Sequence, residues 1–374
     1  MILVLHNRYR TQGGEERAVA DLAWLVREHL GEEVELLERD SQGLGPAVAA
    51  RGLLRGGDHP EDVGAAVRRT GARIVHAHNL NPSFGPRALR AARDAGARVV
   101  LPLHNYRLVC AVGTCVTPSG RDCVRCHGRD TRPGVRLQCR GGAAEALVYA
   151  AALAAHGARL AALADAIVVP SVAARDRLAA LGAPLGATPV HVVGHVMRAL
   201  DGAPPVAPPV SDGFALVASR LAPEKAVDVA VDACARAGIP LVVAGDGPER
   251  ARLEATAHGH DVRFVGRVDP DALSELRARA GVAVATTRAH ETFGLAALEA
   301  MAAGLPTVAT ARGALAELGD GALLVPPDDP SALAAAITRA RGDAEAGARA
   351  HATATRLAAP TAIAPRLAAV YASL

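Results

Sequence analysis

Two glutamates, Glu291 and Glu299, have seven residues between them and span a predicted strand-to-helix junction. Glu291 lies in a loop after the apolar run Gly281–Thr286, and residues 292–294 open a predicted helix that carries Glu299 in its second turn. Such a junction places two carboxylate acceptors beside a helix N-terminus, which attracts anions. The pair therefore suits a ligand that is both polyhydroxyl and phosphorylated, such as a sugar nucleotide. For either residue alone, a solvated glutamate on an ordinary helix is the alternative.

A pair of cations occurs earlier in the same half of the chain. Arg220 and Lys225 belong to Ser219-Arg-Leu-Ala-Pro-Glu-Lys225, which follows the apolar run Ala215–Ala218. One cation lies at the end of a predicted strand and the other at the start of the next helix, so both can converge on one anion. Two fixed cations stabilise the charge that grows on a diphosphate leaving group. Charges on a solvated turn are the alternative.

Glycine-containing loops follow several other predicted strands. Gly13-Gly14-Glu15-Glu16 follows the first strand, and its glycines allow backbone amides to approach a phosphate or sugar, although a tight turn explains them equally well. Gly245-Asp-Gly-Pro-Glu249 is a similar loop, most often a turn and helix start. Val265-Gly-Arg-Val268 can present backbone groups to a nucleobase, and Gly313 can bring backbone close to a ligand.

Histidines His76 and His78 alternate at the end of another predicted strand, so both side chains can point the same way. Metal binding by this pair lacks an evident third ligand. We therefore favour lining of a ligand cleft over a metal site.

Five of the six cysteines fall within one segment, at positions 110, 115, 123, 126 and 139. Cys123-Val-Arg-Cys126 has the spacing of a metal knuckle, and in a reducing compartment the pattern favours zinc over disulfides. We predict a structural zinc site formed by Cys115, Cys123, Cys126 and Cys139. Free thiols in a flexible loop, or a redox pair, are the alternatives.

The elements that must position these residues alternate between strand and helix, which predicts an α/β protein with parallel sheets. Two doubly wound domains facing each other across a cleft are expected, with ligands beyond the carboxyl ends of the strands. The Pro- and Gly-rich stretch 200–213 is the predicted linker between residues 1–199 and 214–355. The predicted strands are Ile2–His6, Val34–Leu37, Arg73–His76, Arg98–Leu103, Ala166–Val169, Val190–Val193, Ala215–Ala218, Pro240–Ala244, Val262–Val265, Val282–Ala285, Thr307–Ala309 and Ala322–Val325.

Composition limits the function classes. At 374 residues, with 50% hydrophobic and 21% charged residues, the chain can form two large cores and is not disordered. A net charge of +3 without a long basic run argues against nucleic acid as a partner. The apolar stretch Ala143–Leu163 is interrupted by Glu145, His156 and Arg159, so we do not expect it to span a bilayer. We expect a cytoplasmic protein and leave peripheral membrane contact open.

Read together, residues 13–14, 219–225, 245–248, Glu291 with Glu299, and 312–313 resemble the retaining glycosyltransferases of family 4, which have the GT-B fold. The resemblance covers nearly the whole chain. It implies an acceptor-binding domain over 1–199 with a cysteine-rich loop at about 109–142, a nucleotide-sugar-binding domain over 214–355, and a C-terminal helix within 356–374 that packs back on the first domain.

The activity that this resemblance implies is transfer of a hexose, with retention, in carbohydrate biosynthesis. The donor would be a UDP- or GDP-sugar, and the acceptor a hydroxyl of a glycan, a lipid-linked saccharide or a small natural product. Catalysis would need no metal. A sugar-nucleotide epimerase or hydrolase, and a non-catalytic sugar-nucleotide-binding protein, are the alternatives.

The resemblance also assigns roles to individual positions. Arg220 and Lys225 would grip the donor diphosphate, Glu291 would face the sugar hydroxyls, and His104 would contact the donor sugar. Where relatives often have an Asn-Gly turn, this chain has Gly194-His195-Val196. Further donor-binding residues would be Gly14, Gly245, Gly247, Arg267, Val268, Phe293, Gly294, Leu295 and Glu299, with Glu299 on the ribose diol, and the acceptor side would hold Tyr9, Asn105 and Tyr106.

Overall fold

The computed structural model describes residues 1–8, 14–202 and 208–374. The chain divides into two compact units. Unit 1 comprises Met1–Cys115, Cys123–Val196 and Pro360–Leu374, and unit 2 comprises Val116–Asp122 and Met197–Ala359. The predicted linker 200–213 therefore lies in unit 2, apart from residues 203–207, which are outside the described residues.

Unit 1 is built on a parallel sheet of six strands in the order β2-β1-β3-β4-β5-β6. Short apolar runs rich in Val, Ile and Leu form the strands, as expected for a sheet buried on both faces. The strands are β1 Ile2–Arg8, β2 Val34–Asp40, β3 Ile74–His78, β4 Arg98–Pro102, β5 Ala166–Val169 and β6 Val190–Val192.

Helices cover both faces of this sheet. They are α1 Gly14–Leu30, α2 Pro46–Arg55, α3 Pro60–Thr70, α4 Gly85–Asp94, α5 Arg132–Arg136, α6 Ala143–Leu163, α7 Val172–Ala180 and, at the end of the chain, α14 Pro360–Ala372. Alternate strand residues serve the two faces, so Leu3 and Leu5 pack with α3 and α4, whereas Ile2 and Val4 pack with α1 and α14. The segment predicted to return to the first domain over 356–374 is thus part of unit 1 from Pro360 onward.

Unit 2 contains a second parallel sheet of six strands, in the order β12-β11-β10-β7-β8-β9. Its strands are β7 Phe214–Ala218, β8 Leu241–Ala244, β9 Val262–Gly266, β10 Ala280–Ala285, β11 Thr307–Thr310 and β12 Leu323–Val325. Its helices are α8 Val227–Ala237, α9 Arg250–Thr256, α10 Pro270–Arg279, α11 Leu295–Ala302, α12 Pro330–Ala340 and α13 Ala344–Ala358, with 3-10 turns at Arg198–Leu200, Pro223–Lys225 and Gly313–Gly321.

The predicted α/β class, with two doubly wound sheets, is confirmed. All twelve predicted strands are present, with ends within three residues of those observed. The helix that carries Glu299 begins at Leu295 rather than at Thr292.

Helix α6 differs from its sequence-based interpretation. By length and hydropathy alone it is apolar enough to cross a membrane, although the sequence analysis judged it too polar. A core helix of a soluble protein passes the same test. In this structure α6 packs against α2, α4 and α5 within unit 1.

Helix α14 is anchored to the sheet of unit 1 by a buried polar contact. The hydroxyl of Tyr371 lies 2.8 Å from His76 Nδ1, and both side chains are almost fully buried. Burial raises the pKa of Tyr371, so its hydroxyl stays neutral.

Replacement of Tyr371 by phenylalanine should destabilise unit 1, because it leaves a buried imidazole nitrogen without its partner. A loss of about 1–3 kcal/mol in the free energy of unfolding is expected. Urea unfolding measures it, with Tyr149→Phe as the matched change on a half-buried ring. Equal midpoints for the two variants would show that the contact contributes nothing.

Candidate functional site

In the sheet of unit 2, the order in which the chain adds strands reverses between β7 and β10. From β7 the chain runs outward through β8 and β9, then returns to β10 on the other side of β7 and continues to β11 and β12. In parallel α/β sheets, ligands bind beyond the carboxyl ends of the strands at such a switch point. The loops that leave β7 and β10 here carry Arg220, Lys225 and Glu291.

Hydrogen bonds fix these two loops to each other. Thr286 Oγ1 donates to the Lys225 carbonyl at 2.8 Å, and Thr287 Oγ1 donates to the Glu224 carbonyl at 3.0 Å. The Arg288 amide donates to the same Glu224 carbonyl at 2.7 Å. The 3-10 turn Pro223–Lys225 is therefore held by its own backbone against the loop after β10.

Lys225 and Glu291 form an ion pair across this junction, from Nζ to Oε1. Their side chains are 28% and 18% exposed, so the pair is partly shielded but open to a ligand. Among 41 lysine and arginine residues in the chain, Lys225 is the only lysine. A compact ammonium fits a narrow contact that the planar guanidinium fork does not.

Gly313 allows its own backbone to pack directly against the backbone of Glu291. A Cβ at position 313 would be 2.4 Å from the Glu291 carbonyl oxygen and 2.5 Å from its nitrogen, and φ is +56°. The amide of Ala314 also donates to the Glu291 carbonyl at 2.9 Å. The glycine predicted to approach a ligand instead packs against the backbone of the candidate site.

Arg220 points along the first loop and pairs with Glu224. Its side chain is 57% exposed, whereas that of Glu224 is 10% exposed. The structure thus holds both predicted cations at the carboxyl end of β7, each bonded to a carboxylate.

The glycines of the next loop have a packing role. A Cβ at Gly245 would be 1.8 Å from the Ser219 carbonyl oxygen, and one at Gly247 would be 2.3 Å from that of Leu221. The Gly245 amide already donates to Gly266, and the Gly247 amide to the Asp246 carboxylate. Both glycines thus allow this loop to pack closely against the loop after β7.

Glu299 pairs with Arg277 of α10, and both side chains are largely buried. Arg277 was not predicted, because nothing in its exposed, Arg-rich sequence context marks it. Phe293, predicted beside the donor, is only 7% exposed and packs with Leu298 and Leu315, so its ring belongs to the core.

Other predicted donor residues lie nearby in unit 2. Gly294 caps the N-terminus of α11, and Leu295, its first residue, packs partly against the core. Arg267 is exposed and Val268 half-buried after β9.

Arg288 is a further residue that the sequence analysis missed. It bonds both oxygens of Asp228 at 3.0 Å and Asp328 at 2.6 Å. Burial would raise the pKa of Asp228, but the Arg288 contact outweighs it and the pKa is lowered. This network ties the start of α8 to the loop after β10 and so supports the Lys225 turn.

A hairpin at Val116–Asp122 also belongs to unit 2, although it lies in the cysteine-rich segment. A Cβ at Gly120 would be 2.8 Å from Pro223 Cβ, and Asp122 lies 3.8 Å from Arg312. The hairpin therefore packs on the turn that carries Lys225.

Five histidines gather at the corresponding switch point of unit 1, between β1 and β3. This histidine cluster consists of His6, His76, His78, His104 and His195. Four of the rings form a stacked column, with centroids 4.8–5.0 Å apart, running from His76 through His78 and His104 to His195. His78 Nδ1 lies 2.7 Å from His104 Nε2.

Burial keeps these imidazoles neutral. It lowers the pKa of His104 to about 4 and those of His76 and His195 to about 3, and it also lowers the pKa of His78 and His6. His76 and His78 are each 2% exposed and His104 and His195 are half-buried, and all four line one pocket of unit 1.

An open pocket adjoins this cluster in unit 1, lined by Glu15, Asn79, His104, Asn105 and Arg107 among others. Asn105, predicted on the acceptor side, lines it. Tyr106 does not, because its ring is 1% exposed and lies in the core. Gly14 is exposed at the first position of α1, and the predictions for Tyr9 and Gly13 fall outside the described residues.

The five cysteines of the 109–142 segment are all free thiols in this structure. Within residues 1–8, 14–202 and 208–374, no three His, Cys, Asp or Glu side chains are already arranged to hold a metal ion. Cys110, absent from the predicted ligand set, is hydrogen-bonded to Cys115. Burial raises the pKa of the Cys139 thiol.

A known protein family matches part of unit 2. Residues 214–343 match the family model described as glycosyl transferases group 1. Unit 2 therefore contains a glycosyl transferase group 1 domain. This stretch includes Arg220, Lys225, Glu291 and Glu299.

Two sequence relatives illustrate the match. The GDP-mannose-dependent alpha-(1-6)-phosphatidylinositol dimannoside mannosyltransferase of Mycobacterium tuberculosis is 48% identical over 105 residues, 26% of this chain and 27% of that protein. The 2-deoxystreptamine N-acetyl-D-glucosaminyltransferase of Streptomyces fradiae is 37% identical over 121 residues, 30% of this chain and 28% of that protein. The matched region thus spans about a quarter of the length of such relatives.

Solved structures are similar over the whole chain. Anabaena Alr3699/HepE in complex with UDP and glucose has a TM-score of 0.65 at 19% identity, covering 100% of this chain and 99% of its own. Sucrose-phosphate synthase of Thermosynechococcus elongatus has a TM-score of 0.69 at 19% identity, covering 100% and 98%. At these identities the likeness establishes the fold, and the two-sheet α/β architecture is that of GT-B glycosyltransferases.

The neutral histidine cluster should make unit 1 sensitive to mild acid. Unfolded histidine titrates near 6.5, whereas the buried rings titrate at about 3–4, so between these values the unfolded chain binds more protons. Stability should therefore fall as the pH is lowered through this window, by up to about 1.4 kcal/mol per pH unit for each histidine.

Urea midpoints measured between about pH 5 and pH 7 test this expectation. His195→Asn should flatten the dependence, since it removes one buried imidazole, whereas His258→Asn changes an exposed histidine and should leave it unaltered. A slope in His195→Asn as steep as in the wild type would contradict the assignment.

Proposed function

We propose that the protein is a retaining glycosyltransferase of family 4 that moves a hexose from a UDP- or GDP-sugar to a hydroxyl group. The observation that carries this proposal is the Lys225–Glu291 pair at the switch point of unit 2. A cation and an acid are held together there by backbone hydrogen bonds, inside a glycosyl transferase group 1 domain.

The donor is proposed to bind unit 2. Lys225, with the exposed Arg220 beside it, neutralises the diphosphate, and Glu291 accepts hydrogen bonds from the sugar hydroxyls. Glu299 is the candidate for the ribose diol, which requires it to share its carboxylate with Arg277. Both UDP and GDP remain candidates, since one similar structure holds UDP and one relative is named as GDP-mannose-dependent.

The reaction follows from this arrangement. The bond between the sugar C1 and the diphosphate oxygen breaks, and the acceptor oxygen forms a new bond to C1 on the same face. The acceptor proton passes to the departing diphosphate, whose growing charge Lys225 and Arg220 stabilise. No metal ion is needed in this scheme, because the side-chain cations take that role.

The acceptor is proposed to bind unit 1, in the pocket lined by His104 and Asn105. A neutral His104 can exchange hydrogen bonds with hydroxyl groups without carrying charge into the pocket. The acceptor class is a glycan, a lipid-linked saccharide or a small natural product. We place this activity in the cytoplasm, with peripheral membrane contact where the acceptor is lipid-linked.

Donor binding is tested first by a thermal-shift panel of nucleotide sugars, because a ligand that binds only the folded state raises the melting temperature with concentration. Release of nucleoside diphosphate is then measured with and without acceptor. Release only with acceptor supports transfer, release without acceptor indicates a hydrolase, and binding without release indicates a sugar-nucleotide-binding protein.

Lys225→Arg should lower kcat/KM by about a hundredfold or more, since the guanidinium cannot take the place of the ammonium beside Glu291. The matched control is Arg236→Lys, the reverse exchange in an exposed ion pair on α8, which should be neutral. Retention of full activity in Lys225→Arg would remove Lys225 from the donor site.

A further inference from the structure

The histidine cluster of unit 1 contains a hydrogen bond between two rings that the reaction scheme does not use. His78 Nδ1 lies 2.7 Å from His104 Nε2. We propose that His78 is a positioning residue that donates this hydrogen bond and thereby fixes His104 as an Nδ1–H donor toward its ligand. The ligand side of this inference rests on the proposed function, whereas the hydrogen bond between the rings does not.

The sheet topology brings the two rings together. β3 ends at His78 and pairs in parallel with β4, so that His76 lies opposite Val100. β4 ends at Pro102, and His104 follows two residues later. Both histidines therefore lie at the carboxyl ends of neighbouring parallel strands, where ligands bind in sheets of this kind.

The short distance requires a hydrogen between the two nitrogens. A separation of 2.7 Å is within the range of a hydrogen bond, whereas two bare lone pairs would repel each other there. The ring planes of His78 and His104 differ by 16°, so the N–H of one ring can point along the lone pair of the other. One ring donates and the other accepts.

The second nitrogen of His78 decides which ring donates. His78 is 2% exposed, and its Nε2 is buried without a hydrogen-bond partner among the described residues. Burial lowers the pKa of His78, so the ring is neutral and carries a single hydrogen. If His104 donated, that hydrogen would lie on Nε2 as a buried N–H without an acceptor. Such groups are rarer in folded proteins than unpaired acceptors, so His78 donates from Nδ1.

The direction of this bond determines what His104 can do. Burial lowers the pKa of His104 to about 4, and a neutral ring that accepts at Nε2 carries its hydrogen on Nδ1. The ring of His195 also stacks against His104, with centroids 5.0 Å apart, and restricts its rotation.

His104 lines the open pocket of unit 1 together with Asn105. A ligand oxygen that contacts Nδ1 there receives a hydrogen bond, and Nδ1 cannot take the proton of an incoming hydroxyl. This restriction agrees with a scheme in which the acceptor proton passes to the departing diphosphate rather than to a histidine.

The direct test is the tautomer of His104 in the full-length protein, read at neutral pH by nitrogen-15 NMR of ring-labelled histidine. Protonated and bare ring nitrogens resonate far apart, and the signals of the two rings are identified by their absence from H104Q and H78L. We expect the hydrogen on Nδ1 in both rings. A hydrogen on Nε2 of His104, or signals averaged between the two forms, would overturn the proposal.

Two substitutions at position 78 separate the hydrogen bond from the packing of the ring. Asparagine places an amide nitrogen as many bonds from Cβ as Nδ1 is, whereas leucine places a methyl group there. H78N should keep His104 in the Nδ1–H form, and H78L should shift it toward Nε2–H. His258→Asn changes an exposed histidine of unit 2 and should leave the His104 signals unaltered. The same tautomer in H78N and H78L would refute the positioning role.

Turnover then shows whether the fixed tautomer matters for the reaction. H78L should lower kcat/KM about tenfold, which corresponds to the loss of one hydrogen bond, and H78N should retain most of it. The assays are run well below the melting temperature of each variant. Equal kcat/KM in H78L and the wild type would contradict the positioning role. If the wild type transfers no sugar at all, the proposed function fails, while the NMR result still decides the direction of the hydrogen bond.

Discussion

The account depends on how the 3-10 turn Pro223–Lys225 is held. Its carbonyl groups accept hydrogen bonds from Thr286, Thr287 and the Arg288 amide, all from the loop that leaves β10. These bonds join two loops that the sheet topology already brings to one edge. Lys225 is thereby presented to Glu291 by backbone that cannot shift without losing buried hydrogen bonds.

Several residues around this turn support it through close packing or hydrogen bonds. Gly245, Gly247 and Gly313 let neighbouring backbones approach more closely than a Cβ would permit. Arg288 holds Asp228 at the start of α8. A site of two or three reactive side chains therefore depends on a larger set of positions that hold its loops together.

The carboxyl edge of the sheet in unit 1 differs from that of unit 2 in the charge of its side chains. It contains stacked neutral imidazoles and an adjoining pocket. Unit 2 is suited to a charged diphosphate, whereas the edge of unit 1 is suited to hydroxyl groups that both donate and accept hydrogen bonds.

Strands could be predicted well from sequence, because β-branched and other apolar runs of four to seven residues have few other stable conformations in such a chain. The loops bearing Lys225 and Glu291 followed from those strands. Side-chain orientation did not: Tyr106 and Phe293 proved to be core residues. Arg277 and Tyr371 were missed, since their partners are distant in sequence and no local pattern marks them.

The central claim is tested most directly through the chain's single lysine. Reductive methylation can modify only Lys225 and the N-terminal amine, and peptide mass spectrometry follows both. We predict that a bound UDP- or GDP-sugar slows modification of Lys225 and leaves the N-terminal amine unaffected. If a nucleotide sugar that raises the melting temperature leaves the Lys225 rate unchanged, the donor diphosphate does not bind at Lys225.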